Sequence, residues 1–259
     1  MDYRTLFELA VILPCLVVPL RPQAGEANDF HRAATLPGAS WRDRESAFYQ
    51  LLRSGPRVGG GSHPWAGLPV VLAAQPDAGE SVRLDLIRAL ARDAAWGRSQ
   101  KALPEEFCNY EGDLIAAVAS LDDPRSMDAL FEVVDLGNMA VDALARFGDR
   151  SLLRAISLMD SPRADWGVRS SAVFLLSKIA RPGNLARLRD PSSKRLLLSA
   201  LLRSLHDSDT AARLFAIDGL VEIGDKSAIP ALSQLAARDS TEAPVRQRAA
   251  EAVAKLSGR

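Results

Sequence analysis

The chain is poor in the residues from which stapled scaffolds and metal centres are made. Its 259 residues include two cysteines, Cys15 and Cys108, and three histidines, His31, His63 and His206. Two cysteines cannot build a disulfide framework, and three scattered histidines leave little material for a metal site. Aromatic side chains make up only 6% of the sequence, so ring-rich packing is not its main device. An excess of one charge is also missing. Thirty-two basic residues face 32 acidic ones, which argues against a dedicated nucleic-acid binder, because such domains normally carry a basic excess. Strand-like alternation of polar and apolar residues appears nowhere, and no apolar run reaches the roughly 20 residues that a membrane-spanning helix needs.

What is present is a 47% hydrophobic composition, enough for a real core in one large domain or two ordinary ones. Residues 6–20 (LFELAVILPCLVVPL) are apolar, lie between Arg4 and Arg21, and precede a small, polar stretch over 23–27. That outline is a secretory signal, with Gly25 and Ala27 placed for a cut that leaves Asn28 first. Asp2, Glu8, Pro14 and Pro19 pull the other way, toward a buried N-terminal helix of a cytoplasmic protein. Export to a bacterial periplasm or cell envelope is the expectation, with the cytoplasm as the alternative. Cys15 follows Pro14 rather than a small residue, so it does not read as a lipid attachment site.

The informative feature is a repeat. In residues 207–223, Ala212, Phe215, Ala216, Leu220 and Ile223 recur at three and four, and Ile229, Leu232, Leu235 and Ala236 do so after them. Each series makes one apolar helical stripe. Between the two, Gly224 suits the left-handed end of a helix, Asp225 suits the cap of the next, and Pro230 falls in or just after its first turn. Phe147, Gly148 and Asp149 repeat the Ile223, Gly224 and Asp225 turn 76 residues earlier, two periods of about 38. Helices are expected over 139–147, 152–159, 168–180, 196–205 and 245–256, with a second helix of an earlier hairpin over 125–134. A longer linker carries Pro182, Gly183 and Pro191. About four units result, and stacked hairpins of this kind bury together what none can bury alone.

Arg213, Ala216, Leu220, Ile223, Gly224, Asp225, Ala228, Ile229, Pro230, Leu232 and Leu235, followed by Asp239, Val245, Arg246, Ala249, Ala252 and Leu256, resemble the HEAT repeat. The similarity is to the short variety named after phycobilin lyases. It covers residues 122–256 and is strongest over 207–256. The resemblance implies an all-α fold, an α-solenoid wound as a right-handed superhelix whose second helices line a concave face. It also implies that Arg169, Arg213 and Arg246 pair with acidic groups such as Asp207 and Asp209 between repeats, making them structural residues together with Gly224, Asp225 and Pro230.

The remainder divides into the 1–27 signal candidate and a divergent helical part over 28–121, ahead of the regular repeats of 122–259. Helices are expected over 42–53 and 81–96, separated by a Gly- and Pro-rich loop region. Gly59, Gly60 and Gly61 lack the lysine of a phosphate loop, His63 lacks a partner at metal spacing, and His206 before Asp207 reads as a helix end. Cys108 beside Glu105 and Glu106 lacks the basic surroundings of a reactive thiol. Trp41, Trp65, Trp96 and Trp166 are expected in core or inter-repeat packing. No His-Glu dipeptide is present, whereas a HEAT-like di-iron hydroxylase looks like paired His-Glu motifs. No catalytic, cofactor or metal residue is therefore assigned.

Local charge is uneven. Residues 122–146 hold two basic and six acidic side chains, 149–203 hold eleven and four, and 207–259 hold seven and eight. Lys194, Arg195 and Arg203 sit on a second helix and are the candidate contacts for an acidic protein partner. The expectation is a non-catalytic, monomeric protein-interaction scaffold, without cofactor or membrane span. The alternatives are an accessory lyase or chaperone of the phycobilin-lyase kind, or weak nucleic-acid binding.

Overall fold

The computed structural model describes residues 80–99, 105–136, 138–162, 164–238 and 241–258. The signal candidate of 1–27, the helix of 42–53, the glycine-rich loop, His31, His63, Cys15, Trp41 and Trp65 lie outside the described residues. So do the side chains of Cys108 and Trp96. Every regular element among the described residues is helical. The chain divides into two compact units, residues 1–140 and 141–259.

The first unit holds α1 (Glu80–Ser99), α2 (Glu105–Ser120) and α3 (Met127–Glu132). Leu86 and Leu90 of α1, Leu114 and Val118 of α2 and Leu130 of α3 are fully or almost fully buried and form its core. The helix expected over 125–134 is split. A short 3-10 turn, Pro124–Ser126, precedes α3, because the Asp123 carboxylate accepts the Arg125 amide at 2.9 Å and tightens the start. Arg125 bridges Asp123 to Glu80 and holds both carboxyls below their ordinary range.

α4 (Asn138–Leu144) ends in a 3-10 turn, Ala145–Phe147. The second unit then continues through α5 (Asp149–Met159), α6 (Trp166–Ile179), α7 (Pro182–Leu185), α8 (Ser193–Ser204), α9 (Thr210–Ile223), α10 (Ile229–Ala237) and α11 (Ala243–Ser257). Three first helices, α6, α9 and α11, pack on one another in sequence. Each second helix, α5, α8 and α10, packs on the first helix of the hairpin that follows. The result is an α-solenoid of stacked hairpins.

The local signals explain the ends. Asp165 and Asp209 cap α6 and α9 through the amides of Val168 and Ala212, each at 2.8 Å. Gly224 closes α9 in the left-handed region at φ 73°, Asp225 accepts the Ser227 amide at 2.9 Å, and Pro230 stands in the first turn of α10.

Gly148 departs from the role of Gly224. Its φ of 63° is paired with ψ −136°, and α5 begins at once. A Cβ here would lie 2.8 Å from the Arg187 carbonyl oxygen, because the long linker folds back over this turn. That linker is not loose: Pro182 starts the one-turn helix α7, Leu188 is buried, and α8 begins at Ser193 rather than 196. Trp166 corrects the packing expectation. It is 68% exposed, since it occupies the first position of α6, ahead of the buried stretch that begins at Ser170.

Candidate docking surface on the second helices

α5 and α8 lie side by side and run the same way. At their N-terminal ends, Asp149 of α5 accepts the Arg189 and Asp190 amides at 3.1 and 3.4 Å, just before α8. The Ser193 hydroxyl and these amides hold its carboxyl below the ordinary range. At their C-terminal ends, the Ser204 hydroxyl donates to Met159 Sδ at 3.0 Å, and Arg203 Nη2 meets Asp160 Oδ2 at 2.9 Å. Leu152, Ala155, Leu197, Ala200 and Leu201 point inward and are fully buried.

Outward, α8 presents Lys194, Arg195 and Arg203, all exposed. The structure does not gather the three into one cluster. Lys194 and Arg195 lie in the first turn, whereas Arg203 lies about 12 Å further along the axis and is engaged by Asp160. Sequence reading missed Asp160 and two exposed leucines, Leu153 on α5 (54%) and Leu196 on α8 (42%). A leucine within an apolar series carries no sign of which side it faces.

The arginines early in the first helices form a separate, repeated arrangement. Arg169, Arg213 and Arg246 each donate Nη1 to the carbonyl five residues before, Ala164, Ser208 and Thr241, at 2.8, 3.2 and 3.1 Å. Arg169 also reaches Asp207 of the following hairpin at 4.0 Å. Arg213, itself buried, reaches Glu242 of the next at 2.6 Å. Asp209 caps its own helix, while Glu242, at the equivalent N-cap position, makes no side-chain cap. The Arg213 guanidinium helps hold the Glu242 carboxyl low, after its own backbone amide. Among the described residues, no group of three His, Cys, Asp or Glu side chains is arranged to hold a metal ion, and His206 is exposed at the end of α8.

The sequence model for HEAT repeats matches residues 196–258, which run from the first turn of α8 to the end of α11. The matched segment contains Arg203, Arg213, Gly224, Asp225, Pro230 and Arg246, while Lys194 and Arg195 immediately precede it. The chain is similar, at 18% identity and a TM-score of 0.40, to a crystal structure of computationally designed armadillo repeat proteins for modular peptide recognition; the match covers 89% of this chain and 99% of that one. It is also similar, at 18% identity and a TM-score of 0.41, to the crystal structure of an engineered protein from a structural genomics consortium, covering 91% and 98%. No curated protein matches the chain significantly.

Proposed function

We propose that the chain is a non-catalytic, monomeric scaffold that binds an acidic protein partner through the second helices. The observation that carries this reading is the exposure of Lys194 and Arg195 on the first turn of α8. They stand in a segment, residues 149–203, where eleven basic side chains face four acidic ones. Rim cations of this kind steer association and suppress wrong partners more than they add affinity. Arg203 contributes after exchanging Asp160 for a partner carboxylate.

The test is affinity capture with crosslinking from cells expressing the full chain, alongside the triple variant Lys194→Glu, Arg195→Glu and Arg203→Glu. The variant is expected to lose the captured protein and the salt dependence of capture. Unchanged capture would overturn the reading, and a salt-dependent shift with DNA that the variant abolishes would replace it with nucleic-acid binding. We further propose, from residues 6–27, that the partner is met outside the cytoplasm. Fractionation with N-terminal sequencing is expected to find a mature chain beginning near Asn28, and a cytoplasmic chain retaining its leader would refute export.

A further inference from the structure

We propose that the seam between α5 and α8 is a groove for an acidic peptide segment carrying a large apolar side chain, which seats between Leu153 and Leu196. This rests on the acidic-partner reading above and adds an anchor to it.

The seam is fixed by a spacing that both helices share. Leu153 lies seven residues before Asp160, and Leu196 lies seven before Arg203. Seven residues are close to two turns, so each pair points within about 20° of one direction. Asp160 and Arg203 meet across the seam at 2.9 Å. Leu153 and Leu196 therefore overlook that same seam, about 10 Å nearer the N-termini. One end is closed by the ion pair, and the other is lined by two half-exposed leucines.

Isolated surface leucines are ordinary, but these two have company of one sign. Arg150, three residues before Leu153, stands on the same side of α5, and Arg195 adjoins Leu196 in the first turn of α8; both are exposed, as is Lys194, which lies two residues before Leu196 and so faces the other side of α8. The carboxylates at this end are Asp149, occupied by the Arg189 and Asp190 amides and Ser193, and Asp190, which accepts the Ser192 amide and hydroxyl, each at 2.7 Å, and interacts with Arg195. Exposed cations beside apolar surface fit a ligand with carboxylates flanking a leucine, isoleucine or phenylalanine. A basic or purely polar ligand would leave either the charge or the leucines uncompensated. Because the opposite end is closed by Asp160, an acidic residue of the ligand competes with it for Arg203.

The experiment is selection of a random twelve-residue peptide display library on the immobilised full chain, followed by anisotropy with the enriched peptides. It is repeated on Leu153→Ser with Leu196→Ser, on Lys194→Glu with Arg195→Glu, and on Asp160→Asn. All are exposed positions, and circular dichroism melting checks that each variant is folded. The expected consensus is net acidic with one large apolar residue. Either double variant is expected to weaken binding at least about tenfold, as for losing one buried leucine contact, and Asp160→Asn to strengthen it severalfold. An acidic consensus without an apolar residue, indifferent to the leucine variant, would overturn the groove while leaving the acidic-partner reading intact. A consensus indifferent to Lys194→Glu with Arg195→Glu would overturn both, and so would no enrichment at all. Weaker binding to Asp160→Asn would overturn the placement of the acidic end.

Discussion

At Gly219 the first-helix layer leaves no room for one more carbon. A Cβ there would lie 2.9 Å from Leu201 Cδ1 and 3.1 Å from Ser177 Cα. The leucine methyl can turn away, but the Ser177 backbone belongs to α6 and moves only with that helix. Alanine favours a helix interior over glycine by about 1 kcal/mol, and overpacking costs about 1–3 kcal/mol. Gly219→Ala is therefore expected to lower stability by about 1 kcal/mol in urea titration. A stabilised variant would mean that α6 and α9 separate freely. Leu220 is fully buried beside it, and Leu220→Ala is expected to cost about 2–5 kcal/mol through the cavity it leaves. A loss below about 1 kcal/mol would mean that the neighbouring helices collapse into the gap.

Between elements, the distinctive device is the linker of residues 181–191 laid over the turn at Gly148. Alanine at Gly148 would meet the Arg187 carbonyl oxygen at 2.8 Å and would also occupy a positive φ. Gly148→Ala is expected to cost more than about 2 kcal/mol, with α5 and the linker gaining hydrogen exchange first. Ordinary exchange protection there would contradict this. Asp149 holds the same linker through two amides. Its carboxyl lies below the ordinary value of 3.8 in the folded chain. The stability it contributes is thus complete above the unfolded value and disappears as pH falls through the lower, folded one. Wild type is expected to lose more stability than Asp149→Ala between about pH 5 and pH 2, with a constant difference above that range. Parallel curves throughout would remove Asp149 from the clamp.

The whole molecule has no net charge, yet the balance is a sum of unlike segments. An acidic stretch over 122–146 precedes a basic one over 149–203 and a near-neutral end. Partner binding through exposed cations is screened over about 10 Å at 0.1 M salt. The gap in captured partner between wild type and the Lys194→Glu, Arg195→Glu variant is expected to narrow as salt rises to about 0.5 M, where screening is nearly complete. A gap independent of salt would place the contact on apolar groups instead.

How much of this was legible follows the range of the interactions. The helices of residues 207–256, the cap at Asp225, the left-handed Gly224 and Pro230 in a first turn depend on neighbours a few positions away. Composition and 3.6-residue periodicity record such neighbours directly, so the all-α repeat was determined by the sequence alone. The partner of Arg213 was not. Acidic groups such as Asp207 and Asp209 were expected for Arg169, Arg213 and Arg246 together; Arg169 reaches Asp207, whereas Arg213 reaches Glu242 and Asp209 caps its own helix, a choice made only when the next hairpin is in place. Trp166 was expected to pack, but it stands 68% exposed at the first position of α6. Gly148 and Gly224 look alike in sequence, and the linker 40 residues away gives them different backbones. The candidate groove belongs to the same class. Leu152 and Leu153 are adjacent and chemically identical, yet stacking on α6 and α8 buries one and leaves the other at the seam, because burial is a property of what packs opposite a side chain and not of the side chain.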